Sequence, residues 1–161
     1  DDDLYTIKSK VTVAANATGA DKAKAFIDQV IRSRKEYKGS GNPTLFTTED
    51  MVTECLLLED KIGHKLYKTE AELATTMRVK EIVTVEVMEG LKDKNSKEVA
   101  GIIVNLADYN VGADKGGSVN MFDDFDIDYN QQKYLIETRC SGALVKPYSA
   151  ITLTFDTAAG A

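Results

Sequence analysis

MFDDFDIDYNQQKYLIETRCSGALVKPYSAITLTF, residues 121–155, is the stretch on which the fold of this 161-residue chain turns. Asp124, Asp126 and Asp128 alternate with Phe125, Ile127 and Tyr129. A period of two puts the rings and isoleucine on one strand face and the acids on the other, toward water. Tyr134 to Cys140 is apolar and β-branched enough to pair as a second strand, and Ser141-Gly142 allows a bulge or bend before Ala143-Leu144-Val145. Pro147 lacks a ladder donor and so marks an edge or bend, after which residues 150–155 resume as a strand. Leu135, Ile136, Leu144 and Ile151 are the expected core, and the tail from Thr157 is expected to fray.

Working outward, residues 4–13 alternate as a strand, with Tyr5, Ile7, Ser9, Val11 and Val13 on one face. Thr18, with Asp21 three residues on, is an acidic capping box that opens a helix over residues 20–37. Its apolar stripe is Ala23, Phe26, Ile27, Val30, Ile31 and Tyr37. A short extended piece at Leu45-Phe46-Thr47 precedes a second helix, capped at Thr47 or Thr48 and running through Glu59, with Met51, Val52, Cys55, Leu56 and Leu58 inward. Gly63 fits a left-handed turn position, and Thr69-x-x-Glu72 is a capping box for a third helix. Residues 81–88 and 101–106 read as strands separated by the charged turn 92–98. Residues 110–118, with three glycines, read as a flexible loop. The pattern is α+β.

A formal charge of −6 and pI near 4.9 argue against a nucleic-acid surface, which needs a net basic patch. Arg32, Arg34, Lys35 and Lys38 sit late in a predicted helix, where cations complement the macrodipole. No stretch approaches the ~18 apolar residues of a membrane helix. Cys55 and Cys140 stand alone, with one histidine in the chain; buried thiols acting as small hydrophobes are the expectation, and two cysteines suit a reducing cytoplasm. His64 follows a turn glycine with no nucleophile elbow, Walker loop or Gly-x-Gly-x-x-Gly elsewhere, so no catalytic or cofactor-binding residues are assigned. Asp124-x-Asp126-x-Asp128-x-Asn130 has the ligand spacing of a calcium loop, but Tyr129 and Leu135 stand where that loop needs Gly and a bidentate Glu. A calcium-dependent binding module on these aspartates is the alternative from another class; the bland reading is a wet strand face, and no metal ligands are assigned.

The run Leu-Ile-Glu-Thr-Arg-x-Ser-Gly-Ala-Leu-x-Lys-Pro-x-Ser-Ala over residues 135–150 resembles the closing segment of tailed-bacteriophage major capsid proteins of the Hong Kong 97-like fold. Asn42-Pro43-Thr44-Leu45-Phe46-Thr47-Thr48, then Leu56-Leu57-Leu58-Glu59-Asp60-Lys61-Ile62-Gly63-His64-Lys65-Leu66-Tyr67, resembles that family's extended segment, helix and Leu-Leu-x-x-Asp-x-x-Gly-x-x-Leu-Tyr passage, in the same order. The resemblance implies a non-enzymatic, cofactor-free subunit of an icosahedral virion capsid, made in the bacterial host cytoplasm. It would self-assemble into pentamers and hexamers that enclose DNA, with scaffold and portal proteins as further partners of the full-length form and without membrane or sequence-specific nucleic-acid binding. It implies residues 1–16 as a peripheral-domain strand, 17–130 as the axial domain and 131–161 as strands returning to the peripheral sheet. The family's N-terminal arm, extended loop and spine helix find no counterpart after Asp1, so a fragment is expected. A bacterial nanocompartment (encapsulin-like) shell protein is the alternative within the same fold.

Overall fold

The computed structural model of the chain describes residues 2–113 and 119–157. Of the expected features, Asp114, Lys115, Gly116-Gly117-Ser118 and the tail beyond Thr157 lie outside the described residues. Two compact units emerge: Asp1–Asp108 with Lys146–Ala161, and Tyr109–Val145.

The first unit is built on five strands, β1 (Thr6–Val13), β2 (Thr44–Thr47), β3 (Ile82–Thr84), β4 (Val99–Val104) and β9 (Ala150–Thr157), in the order β1-β9-β4-β2-β3. β1 runs parallel to β9, β4 is antiparallel to β9 and to β2, and β2 is parallel to β3. The register lines up Ile7, Ile151, Ile103, Leu45 and Ile82, one from each strand, in a single apolar row. Cross-strand neighbours in register share a face, so this row defines the dry side of the sheet. Ile151, Ile103 and Leu45 are fully buried.

Three helices supply the rest of the core. α2 (Gly19–Ser33) contributes Ala23, Phe26, Ile27 and Val30; α3 (Glu49–Leu56) contributes Val52 and Cys55; α4 (Glu70–Met77) contributes Leu73, Ala74 and Met77. All three N-termini are capped by threonine, as the sequence predicts. The Thr18 hydroxyl accepts from the Asp21 N–H at 3.3 Å, while the Asp21 carboxylate accepts from the Thr18 N–H at 3.1 Å. Thr48 caps α3 and Thr69 caps α4. At α4 the box is offset: the Glu72 carboxylate accepts from the Lys68 N–H, not from that of Thr69. The Phe26 ring lies over Gly101 of β4, where an added Cβ would stand 3.2 Å from the ring and 3.2 Å from the Phe46 carbonyl. A glycine is what permits that approach.

Several elements are shorter than expected. α1 (Asp2–Tyr5) is a single turn that takes the start of the predicted first strand. α2 ends at Ser33, not Tyr37: Arg34 is its C-cap, helical in φ and ψ with its N–H donated to the Val30 carbonyl, and residues 34–36 continue as turns while Arg34 Nε donates to the Arg78 carbonyl. α3 stops at Leu56, and the chain then makes a small hairpin bridged at Glu59 and Lys65, with Gly63 at φ +88 in its turn. The predicted strand 81–88 keeps only Ile82–Thr84. Its partner β2 ends at Thr47, whose carbonyl takes the Val85 N–H, and Glu86–Met88 folds into a 3-10 turn.

The second unit is a β-ribbon. β5 (Tyr109–Ala113) pairs with β8 (Cys140–Leu144), and β6 (Asn120–Asp126) pairs with β7 (Gln131–Glu137), both antiparallel. Tyr109–Ala113 is thus strand where a loop was expected. Ser141-Gly142 stays in register as Gly112↔Ser141 and Val111↔Gly142, with no bulge or bend, and the Tyr109 ring lies over Gly142 in the space a side chain would take.

The compact units fall on other bounds than the expected domains 1–16, 17–130 and 131–161, with β1 and β9 side by side in the same sheet as β2, β3 and β4. The expected core is corrected in part. Leu135 and Ile136 are not core: they are 60% and 68% exposed, and Leu144 is half-buried, because two strands alone have no second layer to cover them. Ile151 is core, as expected. Ile151→Ala is therefore expected to cost about 2–5 kcal/mol in urea unfolding. Leu135→Ala is expected to stay within about 0.5 kcal/mol, as for surface positions generally. Equal losses would show the ribbon to be covered in solution.

Candidate assembly surface

Among the described residues, the ribbon carries the largest run of exposed apolar side chains. Pairing puts Met121 with Ile136, Asp123 with Tyr134 and Phe125 with Gln132 on one face; Phe122 with Leu135, Asp124 with Lys133 and Asp126 with Gln131 fall on the other. Met121, Ile136, Tyr134, Phe125, Phe122 and Leu135 are all exposed. Apolar groups therefore stand on both faces, and the expected split into a dry ring face and a wet acid face does not occur. β6 stops at Asp126, and residues 127–130 turn back with Asn130 at φ +50, so Ile127 and Tyr129 sit in the turn and are exposed. An isolated two-stranded hairpin is marginal in water, and a contiguous exposed apolar patch marks an interaction surface.

The three aspartates of the calcium-like spacing do not converge. Asp124 is exposed in β6; the Asp126 side chain, 14% exposed, is ion-paired with Lys133; Asp128 is in the turn, where its N–H donates to Asp126 Oδ1 at 3.1 Å. Asp126 thus spends its carboxylate on the ribbon's own register. Among the described residues no group of three or more His, Cys, Asp or Glu is arranged to hold a metal ion. His64 is exposed, with Nδ1 3.6 Å from Asp60 Oδ2. The Asp60 carboxylate accepts from the N–H groups of His64 and Ile62, which holds its pKa below the usual range. That makes it the clasp of a surface turn. Cys55 is buried, and loss of hydration, with a smaller push from Glu54, raises its thiol pKa to about 12. Cys140 is exposed in β8, against the expectation that both thiols are buried.

One polar cluster in the first unit has no sequence signal. Asp108, 4% exposed, accepts from the Ser40 N–H and from the Ser40 hydroxyl, both at 2.6 Å. The Ser40 carbonyl accepts from Asn105 Nδ2 at 2.7 Å and from the Tyr37 hydroxyl at 3.2 Å, while Lys146 Nζ reaches the Ser40 hydroxyl at 3.3 Å. Burial pushes the Asp108 pKa up, but the two Ser40 hydrogen bonds and Lys146 outweigh it and leave it below the ordinary aspartate value. Asp108 and Lys146 are the first unit's last residues before and after the ribbon in chain order. A charged group satisfied by hydrogen bonds thus pins both chain exits to the 37–40 segment.

No protein-family model and no curated protein matches this sequence. Solved structures do match. The capsid of an empty GTA particle aligns over 96% of this chain and 50% of its own, at 16% identity and a TM-score of 0.59. A chain of cyanophage P-SCSP1u, from a capsid structure, aligns over 96% of this chain and 54% of its own, at 15% identity and a TM-score of 0.52. The chain has the Hong Kong 97-like capsid fold. A chain from mycobacterium phage Ogopogo aligns over 92% of this chain and 54% of its own, at 12% identity and a TM-score of 0.52. The chain thus spans about half the length of the chains it matches. Within this capsid fold both the sheet unit and the ribbon fall in the matched region, since the alignments leave no more than 8% of the chain out.

Native protein is expected to react with a thiol reagent at Cys140 alone, and at Cys55 only after denaturation; mass spectrometry of the labelled chain checks this. Asp108→Asn is expected to cost about 1.5–3 kcal/mol near neutrality, the range for hydrogen bonds to a charged group. Because the folded pKa of Asp108 is depressed, its contribution is complete above the unfolded value of about 3.9 and is lost as pH falls through the folded value. The stability gap between wild type and variant should therefore be constant above about pH 4 and close below it.

Proposed function

We propose that this chain is the assembly body of a shell subunit of an icosahedral tailed-phage particle. On this reading, copies gather into pentamers and hexamers and the role is structural, not enzymatic. The observation that carries it is the alignment of nearly the whole chain with capsid chains at TM-scores above 0.5. The exposed apolar ribbon supports it, because such a surface favours burial against neighbours. The sheet unit is assigned as the axial domain around the five- and six-fold axes, and Tyr109–Val145 as the sheet of the peripheral domain. Their bounds differ from the division expected from sequence. The particle is the site of action, after synthesis in the host cytoplasm, and scaffold and portal proteins are the further partners. Shell assembly draws on many modest contacts repeated by symmetry, whereas a catalytic group concentrates its effect in one side chain.

Electron microscopy of the full-length gene product tests this by looking for closed icosahedral particles. Particles are expected for wild type and, at nearly the same yield, for His64→Gln. The pair Phe122→Glu and Ile136→Glu, which places charge on each ribbon face, is expected to abolish particles while urea unfolding of the sheet unit is unchanged. Loss of particles with His64→Gln at normal solubility would point instead to a specific site in the Asp60–His64 turn.

A further inference from the structure

β1 is an end strand of the sheet: β9 lies along one side of it, and among the described residues no strand lies along the other. Its outward N–H and C=O groups are a template for a further strand. Beside the first half of this edge lies a cleft of about 540 Å³ lined by Thr6, Ile7 and Lys8 together with Lys35, Glu36, Lys38 and Tyr148. The cleft wall is fixed by backbone: the Lys38 N–H donates to the Tyr148 carbonyl at 2.9 Å, and the Tyr148 N–H donates to the Leu4 carbonyl at 3.0 Å. Tyr148 holds φ +54, an uncommon backbone for a ring-bearing residue, and the Lys38 ammonium stands 5.0 Å from its ring centroid. Lys35 and Lys38 against Glu36 make this side of the cleft basic in a chain whose net charge is −6.

The ribbon has the complementary properties. β6 pairs with β7 on one side, and among the described residues no strand lies along its other side. Residues 123–128 carry Asp123, Asp124, Asp126 and Asp128, with Lys133 of β7 paired to Asp126. We propose that the free edge of β1 and the basic cleft beside it receive the acidic β6 segment of a second copy of this chain, added as a strand. The contact rests on the shell-subunit reading for its supply of neighbouring copies. Main-chain pairing provides adhesion, while the lysines select an acidic strand and set its register. Such a contact joins unlike surfaces, so each copy offers one edge and fills another, a head-to-tail arrangement that gives rings where its rotation closes and open chains where it does not.

Charge exchange tests it on the intact chain, without reference to particles. Sedimentation equilibrium at low ionic strength is expected to show weak, salt-sensitive self-association of wild type. Lys35→Glu with Lys38→Glu should weaken it about tenfold, as should Asp123→Lys with Asp124→Lys, each by setting like charges face to face. Mixing the two reversed variants should restore association, since each then supplies the complement the other lacks. Circular dichroism of each variant establishes that it is folded; a variant that is not is replaced by Lys35→Gln with Lys38→Gln, for which the same weakening is expected. No self-association of wild type, or association indifferent to both reversals, would overturn the proposal and leave the shell reading to microscopy. Weakening without recovery in the mixture, with binding of a short DNA duplex lost in the lysine variant, would also overturn it and assign the cleft to phosphate.

Discussion

The Phe26 ring lying on Gly101 is the contact from which the sheet unit is organised. It brings the middle of α2 down onto β4, and β4 is the strand that joins the β2–β3 side of the sheet to the β1–β9 side. A side chain at residue 101 would have to displace the ring or the Phe46 carbonyl, and interiors packed at crystal-like density have little room to give. The neighbouring row of Ile7, Ile151, Ile103, Leu45 and Ile82 then closes against the helices. The Thr47 hydroxyl donates to the Ala100 carbonyl at 2.7 Å beside the register shift between Val99 and Gly101, keeping a buried polar group satisfied.

Local chemistry was legible in the sequence, and so was much of the order of elements, although β5 reads there as a loop and α1 as the start of a strand. Thr18, Thr48 and Thr69 cap their helices, and Gly63 takes its left-handed turn, because each depends on residues within about four positions of itself. The family resemblance carried by residues 135–150 and 42–67 led to the fold that the solved capsid structures share. Alternation in Asp124 to Tyr129 did not give burial, because a period of two says which side chains share a face and not whether anything covers that face. Nor could sequence place Ser40 against Asp108, 68 residues apart, since neither residue belongs to a motif and the bond exists only once the sheet has formed.

The two units differ in what sustains them. The sheet unit buries aliphatic rows against capped helices and satisfies its buried aspartate internally. The ribbon relies on main-chain pairing, the Asp126–Lys133 ion pair and the Tyr109 ring over Gly142, none of which removes much apolar surface from water. The first unit is thus complete within itself, whereas the second leaves apolar surface open to a further contact.

The position of β9 adds a constraint of a different kind. It lies between β1 and β4, so the first and last strands of the sheet are neighbours although some 140 residues separate Thr6 from Ala150 in register. During synthesis β1 emerges before the ribbon and lacks its neighbour until the ribbon has been made and β9 follows. Closing so long a loop slows folding and leaves two strand edges bare meanwhile. The strand order therefore ties completion of the sheet to synthesis of β9, so that the unit cannot close before the ribbon has been made.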